Sequence, residues 1–144
     1  MDATDLEPCF GKPDTDPQVA KVLKALGVTK KLKPDDESVA RVKRPDLGLI
    51  LVFRRVDPKS SDLTLCSIQY YSDAEKGFTT FAGALPEGLT WNDTPADVKK
   101  KLGKPDSEVK AYRMQHWKKK DVQRSIQYKK DNSGISYMTL GLRA

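Results

Sequence analysis

The chain has 144 residues and a formal net charge of +6, with 38% hydrophobic and 32% charged residues. This composition predicts one folded domain, or two small fused ones, with a modest core. One His and two Cys are too few for the common zinc sites, and the nucleotide-binding, serine-hydrolase and zinc-protease motifs do not occur, so we expect no metal, no cofactor and no catalytic residue.

The first thirteen residues carry three acids and no apolar run, which predicts neither a secretory signal nor a membrane anchor. The two Cys are unclustered, which is typical of a reducing compartment. We therefore expect a cytoplasmic protein with no membrane partner, in which Cys66 is a small core residue and Cys9 an incidental thiol. A disulfide between them stays open, because the sequence does not set their distance.

A first amphipathic helix is predicted after Asp16, which suits an N-cap, and Pro17, which suits the first helical position. It ends at Gly27. Its inward residues recur at helical spacing and are Val19, Val22, Leu23 and Leu26.

A second helix is predicted on the same plan after Thr94 and Pro95. Asp97 stands at its third position, as in a capping box, and Gly103 ends it. The second helix is therefore the counterpart of the first.

Each helix is followed by three strand-like segments, at 38–43, 48–56 and 63–71 and then at 109–118, 122–129 and 135–142. Turn-forming residues separate the segments. The chain is thus predicted to be α+β, with tandem units of a helix plus a three-stranded antiparallel meander that form a continuous or facing sheet. The units are residues 1–72 and 94–144, and a packed connector, 73–93, ties them into a single compact domain.

Strict alternation in segment 63–71 predicts that its residues divide between two faces of the sheet. Cys66, Ile68 and Tyr70 fall on one face, and Leu65 and Ser67 on the other. One face of each strand is expected to pack on its helix, and the other to carry polar, Tyr and Gln positions.

Residues 99–130 contain twelve basic residues and three acids. Because Tyr112, Trp117 and Tyr128 are interleaved with them, one interpretation is a nucleic-acid or polyanion surface. No RNA- or DNA-binding signature accompanies the run, and lysines are also favoured at helix ends and strand turns. A solvated basic face that attracts an acidic protein is therefore the favoured interpretation, and nucleic acid the alternative.

The segment 81–105 contains the pattern Phe81-x-Gly83-x-Leu85-Pro86-x-Gly88-Leu89-x-Trp91-x-x-Thr94, then Val98-x-x-x-Leu102-Gly103-x-Pro105. This pattern resembles a group of small bacterial proteins encoded beside polymorphic or contact-delivered toxins. The helix-to-strands plan is similar to the tandem repeats of β-lactamase-inhibitor (BLIP) and BamE-like proteins. The resemblance covers residues 81–142 well and the first unit in outline.

The resemblance implies an immunity protein, which binds a cognate bacterial toxin effector domain, such as a type VI secretion effector, and blocks its active site without being an enzyme. The candidate partner-binding residues are Tyr71, Tyr112, Gln115, Trp117, Lys118, Lys119 and Lys120. Tyr and Trp dominate interface hot spots, and the lysines would steer an acidic partner towards the polar sheet face. The alternative for Trp117 and Tyr112 is packing between the units.

Other function classes stay open at this point. They are a nucleic-acid or polyanion-binding protein that uses the basic 99–130 face, an enzyme with an unrecognised site, and a structural or adaptor protein. We expect His116 to be a structural histidine, because no motif in the sequence supplies it with a nucleophile.

Overall fold

The computed structural model describes residues 1–142. In chain order its helices and strands are α1 (Ala3–Leu6), α2 (Pro17–Ala25), β1 (Val39–Arg44), β2 (Leu49–Arg54), β3 (Thr64–Tyr71), α3 (Pro95–Leu102), β4 (Ser107–Val109), β5 (Met114–Lys119), β6 (Val122–Tyr128) and β7 (Ile135–Leu142). Short 3₁₀ turns lie at Glu7–Cys9, Pro45–Leu47, Pro86–Gly88 and Lys110–Tyr112. Within residues 1–142, no helix combines the length and the apolar character that crossing a membrane requires.

Both predicted helices are confirmed, together with their caps. The Asp16 carboxylate accepts hydrogen bonds from the backbone N–H groups at the start of α2. The Thr94 side chain and Asp97 form the predicted capping box at the start of α3. The four apolar residues predicted for the inner face of α2 are all buried, and so is Val98 of α3.

The seven strands described within residues 1–142 form one antiparallel sheet in the order β1-β2-β3-β7-β6-β5-β4. The two meanders join where β3 pairs with β7, with Ser67 opposite Gly141 and Tyr71 opposite Tyr137. The α+β class is therefore confirmed, and the sheet is continuous.

The second meander differs from the prediction. Segment 109–118 is not one strand, because a 3₁₀ turn at Lys110–Tyr112 and the left-handed Arg113 (φ 52°) reverse the chain between β4 and β5. α3 is thus followed by four strands, whereas α2 is followed by three. Two equal helix-and-three-strand units are not confirmed by this topology.

One face of the sheet, called the helix face below, carries the main core. α1, α2, α3 and the connector all contribute buried residues to a single cluster with Leu51, Ile68, Ile126 and Met138 of the central strands. The opposite face, called the open face, carries a small apolar cluster of Val39, Val52 and Cys66 with Ile50 beside it. The rest of the open face is mostly polar, as the alternation of side chains predicts.

The alternation predicted for β3 is wrong at one position. Val52 pairs with Ser67 and Phe53 with Leu65, so that Cys66 forms a β-bulge. As a result Leu65 and Ile68 both contribute to the main core, although strict alternation puts them on opposite faces. Cys9 and Cys66 are both buried and both free thiols.

The connector between β3 and α3 packs against the core. Phe81, Leu85 and Leu89 are buried, and the Trp91 indole N–H donates to the Phe81 carbonyl oxygen at 3.1 Å. The connector therefore contributes to the same core as the helices and positions the turn Pro86–Gly88 next to α3.

Candidate protein-binding site

The seven predicted partner-binding residues lie in three different places. Trp117, Lys118, Lys119 and Lys120 line one cleft at the end of the β5–β6 hairpin. Tyr112 and Gln115 lie towards the other end of β5, which is roughly 20 Å long. Tyr71 lies on the open face, opposite Tyr137.

The cleft, called the basic cleft below, encloses about 650 Å³ between the end of α3, the turn Pro86–Gly88 and the β5–β6 hairpin. Its basic side chains are Lys101, Lys104, Lys118, Lys119, Lys120 and Arg124. Its acidic side chains are Glu87 and Asp106, and its apolar ones are Leu102, Trp117, Val122 and Leu140. Its lining therefore combines an excess of positive charge with four apolar side chains.

Arg124 is the most buried cation of the basic cleft, with a relative exposure of 9%. Its guanidinium binds the Glu7 carboxylate through two nitrogens, with Nη2 at 2.5 Å from Oε1 and Nη1 at 3.5 Å from Oε2. The same carboxylate accepts a hydrogen bond from the Tyr70 hydroxyl at 2.9 Å. Burial and the Glu7 charge raise the pKa of Tyr70, so this hydroxyl stays protonated and acts as a donor.

The third nitrogen of Arg124 lacks a hydrogen-bond acceptor. Its Nε is buried and lies 3.6 Å from Oε2 of Glu87, which is too far for a hydrogen bond. The Glu87 side chain is 53% exposed, and its backbone is left-handed, with φ 59°. Arg124 is thus held firmly by Glu7 and loosely by Glu87.

The lysines of the basic cleft differ in their pairing. The Lys101 ammonium lies 2.8 Å from both the Gly88 carbonyl oxygen and the Asp93 carboxylate, so it joins α3 to the turn below it. Burial raises the pKa of Asp93, but hydrogen bonds from Lys101 and Thr90 outweigh it and the pKa is lowered.

Three other lysines of the cleft have no such ion pair among residues 1–142. None of the ion pairs found among residues 1–142 includes Lys104, Lys118 or Lys119. Their charge is therefore available to an anionic partner.

Two hydrogen bonds hold the hairpin to the segment after α3. The Trp117 indole N–H donates to the Gly103 carbonyl oxygen at 3.0 Å, and the Lys118 backbone N–H donates to the Asp106 carboxylate at 2.7 Å. Trp117 also packs against the main core. The wall of the basic cleft is therefore a preorganised part of the fold.

Gln115 and Trp117 lie on the helix face of the sheet and not on the open face. Gln115 accepts a hydrogen bond from the Tyr128 hydroxyl at 2.8 Å, and Tyr128 belongs to the main core. Trp117 packs against the same core. The turn before Met114 sets the register of β5, and this register directs the odd-numbered side chains to the helix face. Tyr112, in contrast, is 66% exposed.

Tyr71 belongs to an aromatic stack on the open face. Its ring stacks on Phe78 with centroids 4.0 Å apart and on Tyr137 with centroids 5.4 Å apart. Its hydroxyl donates to the Gln69 side chain at 2.8 Å. Burial, together with the neighbouring Tyr137 and Glu75, raises the pKa of Tyr71.

His116 lies on the open face and contacts Ser125 across the β5–β6 pair. Its Nδ1 lies 2.7 Å from the Ser125 hydroxyl and 3.2 Å from the Gln123 amide nitrogen. A catalytic Ser–His pair is oriented by a third group, usually a carboxylate, and the polar neighbours found for this ring nitrogen are Ser125 and Gln123. Within residues 1–142, no cluster of three or more His, Cys, Asp or Glu side chains forms a metal site.

The basic residues of 99–130 do not share one face. Lys118–Lys120 lie at one end of the β5–β6 hairpin, whereas Arg113, Lys129 and Lys130 lie around a different cavity at the other end. Arg124 is buried and lines the basic cleft.

Sequence reasoning did not single out Arg124 or Glu87. A signal for Arg124 was present, because it occupies an inward position of β6 between the apolar residues Val122 and Ile126. A charged residue in such a series indicates a buried partner or a site. Glu87 carried no comparable signal, because its position depends on how the connector folds.

No protein-family model matches the chain, and no curated protein matches it. Among solved structures, the chain is similar to a DUF4309 family protein (YjgB) from Bacillus subtilis, with 15% identity over 86% of this chain and 77% of that chain and a TM-score of 0.46. A likeness at this identity and TM-score says nothing about activity or partners.

Proposed function

We propose that this protein is a non-enzymatic immunity protein that binds and neutralises a cognate bacterial toxin domain. The observation that carries the proposal is the basic cleft, where Lys104, Lys118 and Lys119, which belong to no ion pair found among residues 1–142, line the same cavity as four apolar side chains. The assignment of the partner to the toxin class rests on the resemblance of the motifs in residues 81–105.

The chemistry of inhibition fits this site. An inhibitor needs a preorganised surface and a charge pattern complementary to its target, not reactive groups of its own. The basic cleft supplies both, and with a formal net charge of +6 the whole chain attracts an acidic surface. The aromatic stack around Tyr71 offers a second, flatter contact surface on the open face. The role is exercised in the cytoplasm of the producing cell.

We further infer that the two halves are diverged copies of one helix-and-meander unit. β1 and β2 are joined by a 3₁₀ turn that ends in the left-handed Gly48, and β4 and β5 by a 3₁₀ turn that ends in the left-handed Arg113. In this correspondence β4, β5 and β6 match β1, β2 and β3, and β7 is the additional strand between the copies.

Co-expression with the toxin encoded beside the gene tests the proposed function. We expect the protein to protect cells and to co-purify with the toxin domain in a fixed ratio. The charge-reversal variant Lys118→Glu, Lys119→Glu and Lys120→Glu should slow association, and the difference from wild type should shrink as salt is added.

The matched control reverses three exposed lysines in a loop distant in sequence from the cleft, with Lys30→Glu, Lys31→Glu and Lys33→Glu. It changes the net charge equally, so it should bind more tightly than the cleft variant. Equal killing with and without the protein, and no co-purification, would contradict the proposal. Tight, steeply salt-dependent binding to random-sequence DNA or RNA would favour the nucleic-acid alternative instead.

A further inference from the structure

We propose that the basic cleft receives an acidic peptide segment of the partner protein, whose carboxylate takes the place of Glu87 beside Arg124. This inference rests on the proposed function, since it specifies how the partner is recognised. In the free protein Glu87 occupies the position beside Arg124, and the carboxylate of the partner displaces it.

Arg124 has an unused donor for such a carboxylate. Glu7 engages both terminal nitrogens of the guanidinium, whereas the buried Nε has no hydrogen-bond acceptor. An arginine presents its donors in a fixed fork, and a buried donor without an acceptor is unfavourable. An anion that reaches Nε therefore gains a charge-assisted hydrogen bond that Glu87, at 3.6 Å, does not make.

Glu87 is suited to leave this position. Its side chain is half exposed, so its carboxylate can turn into water without a large change in solvation. The residue lies in the short turn Pro86–Gly88 and has a positive φ, so it is not held by a regular helix or strand. Glu7, by contrast, is held by both Arg124 and Tyr70 and keeps the guanidinium in place.

The charges and the apolar lining of the cleft favour a peptide. Lys104, Lys118 and Lys119 supply positive charge around the opening, which an acidic segment would neutralise. The apolar lining is largely aliphatic, and an apolar side chain next to the acid would pack on such a surface. Nucleobases need exposed aromatic faces for stacking, and Trp117 is the one aromatic residue that lines this cleft among residues 1–142.

In the experiment, a synthetic hexapeptide of alternating glutamate and leucine is titrated into the full ¹⁵N-labelled chain, and NMR spectra are recorded at each step. The side-chain Nε–H signal of Arg124 reports contact at the proposed atom. We expect this signal to shift with the peptide and not with a peptide in which glutamine replaces glutamate. In Glu87→Gln the peptide should bind about threefold tighter, because a competing carboxylate is removed.

Glu37→Gln is the matched control, because it removes an exposed carboxylate from a loop outside the cleft and should bind as wild type does. The inference is overturned if Glu87→Gln and Glu37→Gln bind equally, if the glutamine peptide binds as well, or if the peptide binds without moving the Arg124 signal. It is also overturned if a single-stranded oligonucleotide moves that signal at lower concentration than the peptide does. The titration contains no toxin, so its result can be interpreted even if the protein fails to protect cells. If the peptide does not bind but the protein still protects cells, this inference fails and the proposed function stands.

Discussion

The Glu7 carboxylate and the Arg124 guanidinium are 117 positions apart in the chain and form a two-point ion pair beneath the N-terminal turn. The pair joins the segment after α1 to the middle of β6. Both side chains are largely buried, with exposed fractions of 20% and 10%. The N-terminal segment therefore packs on the helix face of the sheet as part of the fold.

Glu7→Gln should lower the free energy of unfolding by about 3 kcal/mol, because it leaves a buried guanidinium without its main counter-charge. Urea denaturation measures the change. Glu87→Gln is the control on the same guanidinium and should cost less than about 1 kcal/mol, since that carboxylate is half exposed and makes no hydrogen bond to Arg124. Equal losses in the two variants would contradict the difference in pairing.

Gly48→Ala should destabilise the protein by at least about 2 kcal/mol, because the position is both left-handed and crowded. A Cβ there would lie 2.3 Å from the Thr79 carbonyl oxygen and 2.6 Å from the Phe81 nitrogen. Gly11→Ala is the control, since Gly11 is also left-handed (φ 81°) but has nothing within 4 Å of its added Cβ, and it should cost only about 1 kcal/mol. Thermal or urea unfolding distinguishes the two effects, and a tolerated Gly48→Ala would refute the close packing of the connector on this turn.

Ile68→Ala should cost about 2–5 kcal/mol, because Ile68 is fully buried in the interior strand β3. Leu102→Ala should cost roughly half as much, since Leu102 is only partly buried and lines the basic cleft. The midpoints of urea titrations, at unchanged slope, provide the comparison. A larger loss for Leu102→Ala would mean that the cleft is closed in solution.

The single histidine predicts a pH dependence of stability. Burial, and then the nearby Lys118 charge, lower the pKa of His116 below its ordinary value, and Ser125 and Gln123 face the same ring. The unfolded chain therefore binds more protons than the folded one just below neutral pH. This contribution to stability is fully present above the unfolded pKa of about 6.5 and is lost as the pH falls through the lower folded pKa.

Unfolding free energies of wild type and His116→Gln, measured between pH 7 and pH 5, test this linkage. The wild type should lose stability across this range more steeply than the variant. Carboxylates with lowered pKa values, such as Asp93, act at lower pH and do not confuse the comparison. Parallel curves would show that His116 is not the group responsible.

Local patterns in the sequence were enough to predict much of the secondary structure. Caps such as Asp16 and Thr94 satisfy N–H groups a few residues away, and the apolar period of α2 marks its buried face, so neighbouring residues determine these features. The strands β2, β3, β6 and β7 were recognisable for the same reason. The break between β4 and β5 was missed, because a non-glycine residue in the left-handed region, Arg113, leaves no clear mark in the sequence.

The sequence by itself determined α2 and α3, most strands, the α+β class and the concentration of lysines near Trp117, but not the short helix α1. Only the tertiary structure decided that β7 pairs with β3, that Cys66 bulges, and that Arg124 meets both Glu7 and Glu87. The physical reason is the separation in sequence between the residues that interact. Caps and periodicity act over one or two turns of chain, whereas strand order and the basic cleft depend on contacts between residues tens of positions apart, whose free energies are set by packing that no local pattern encodes.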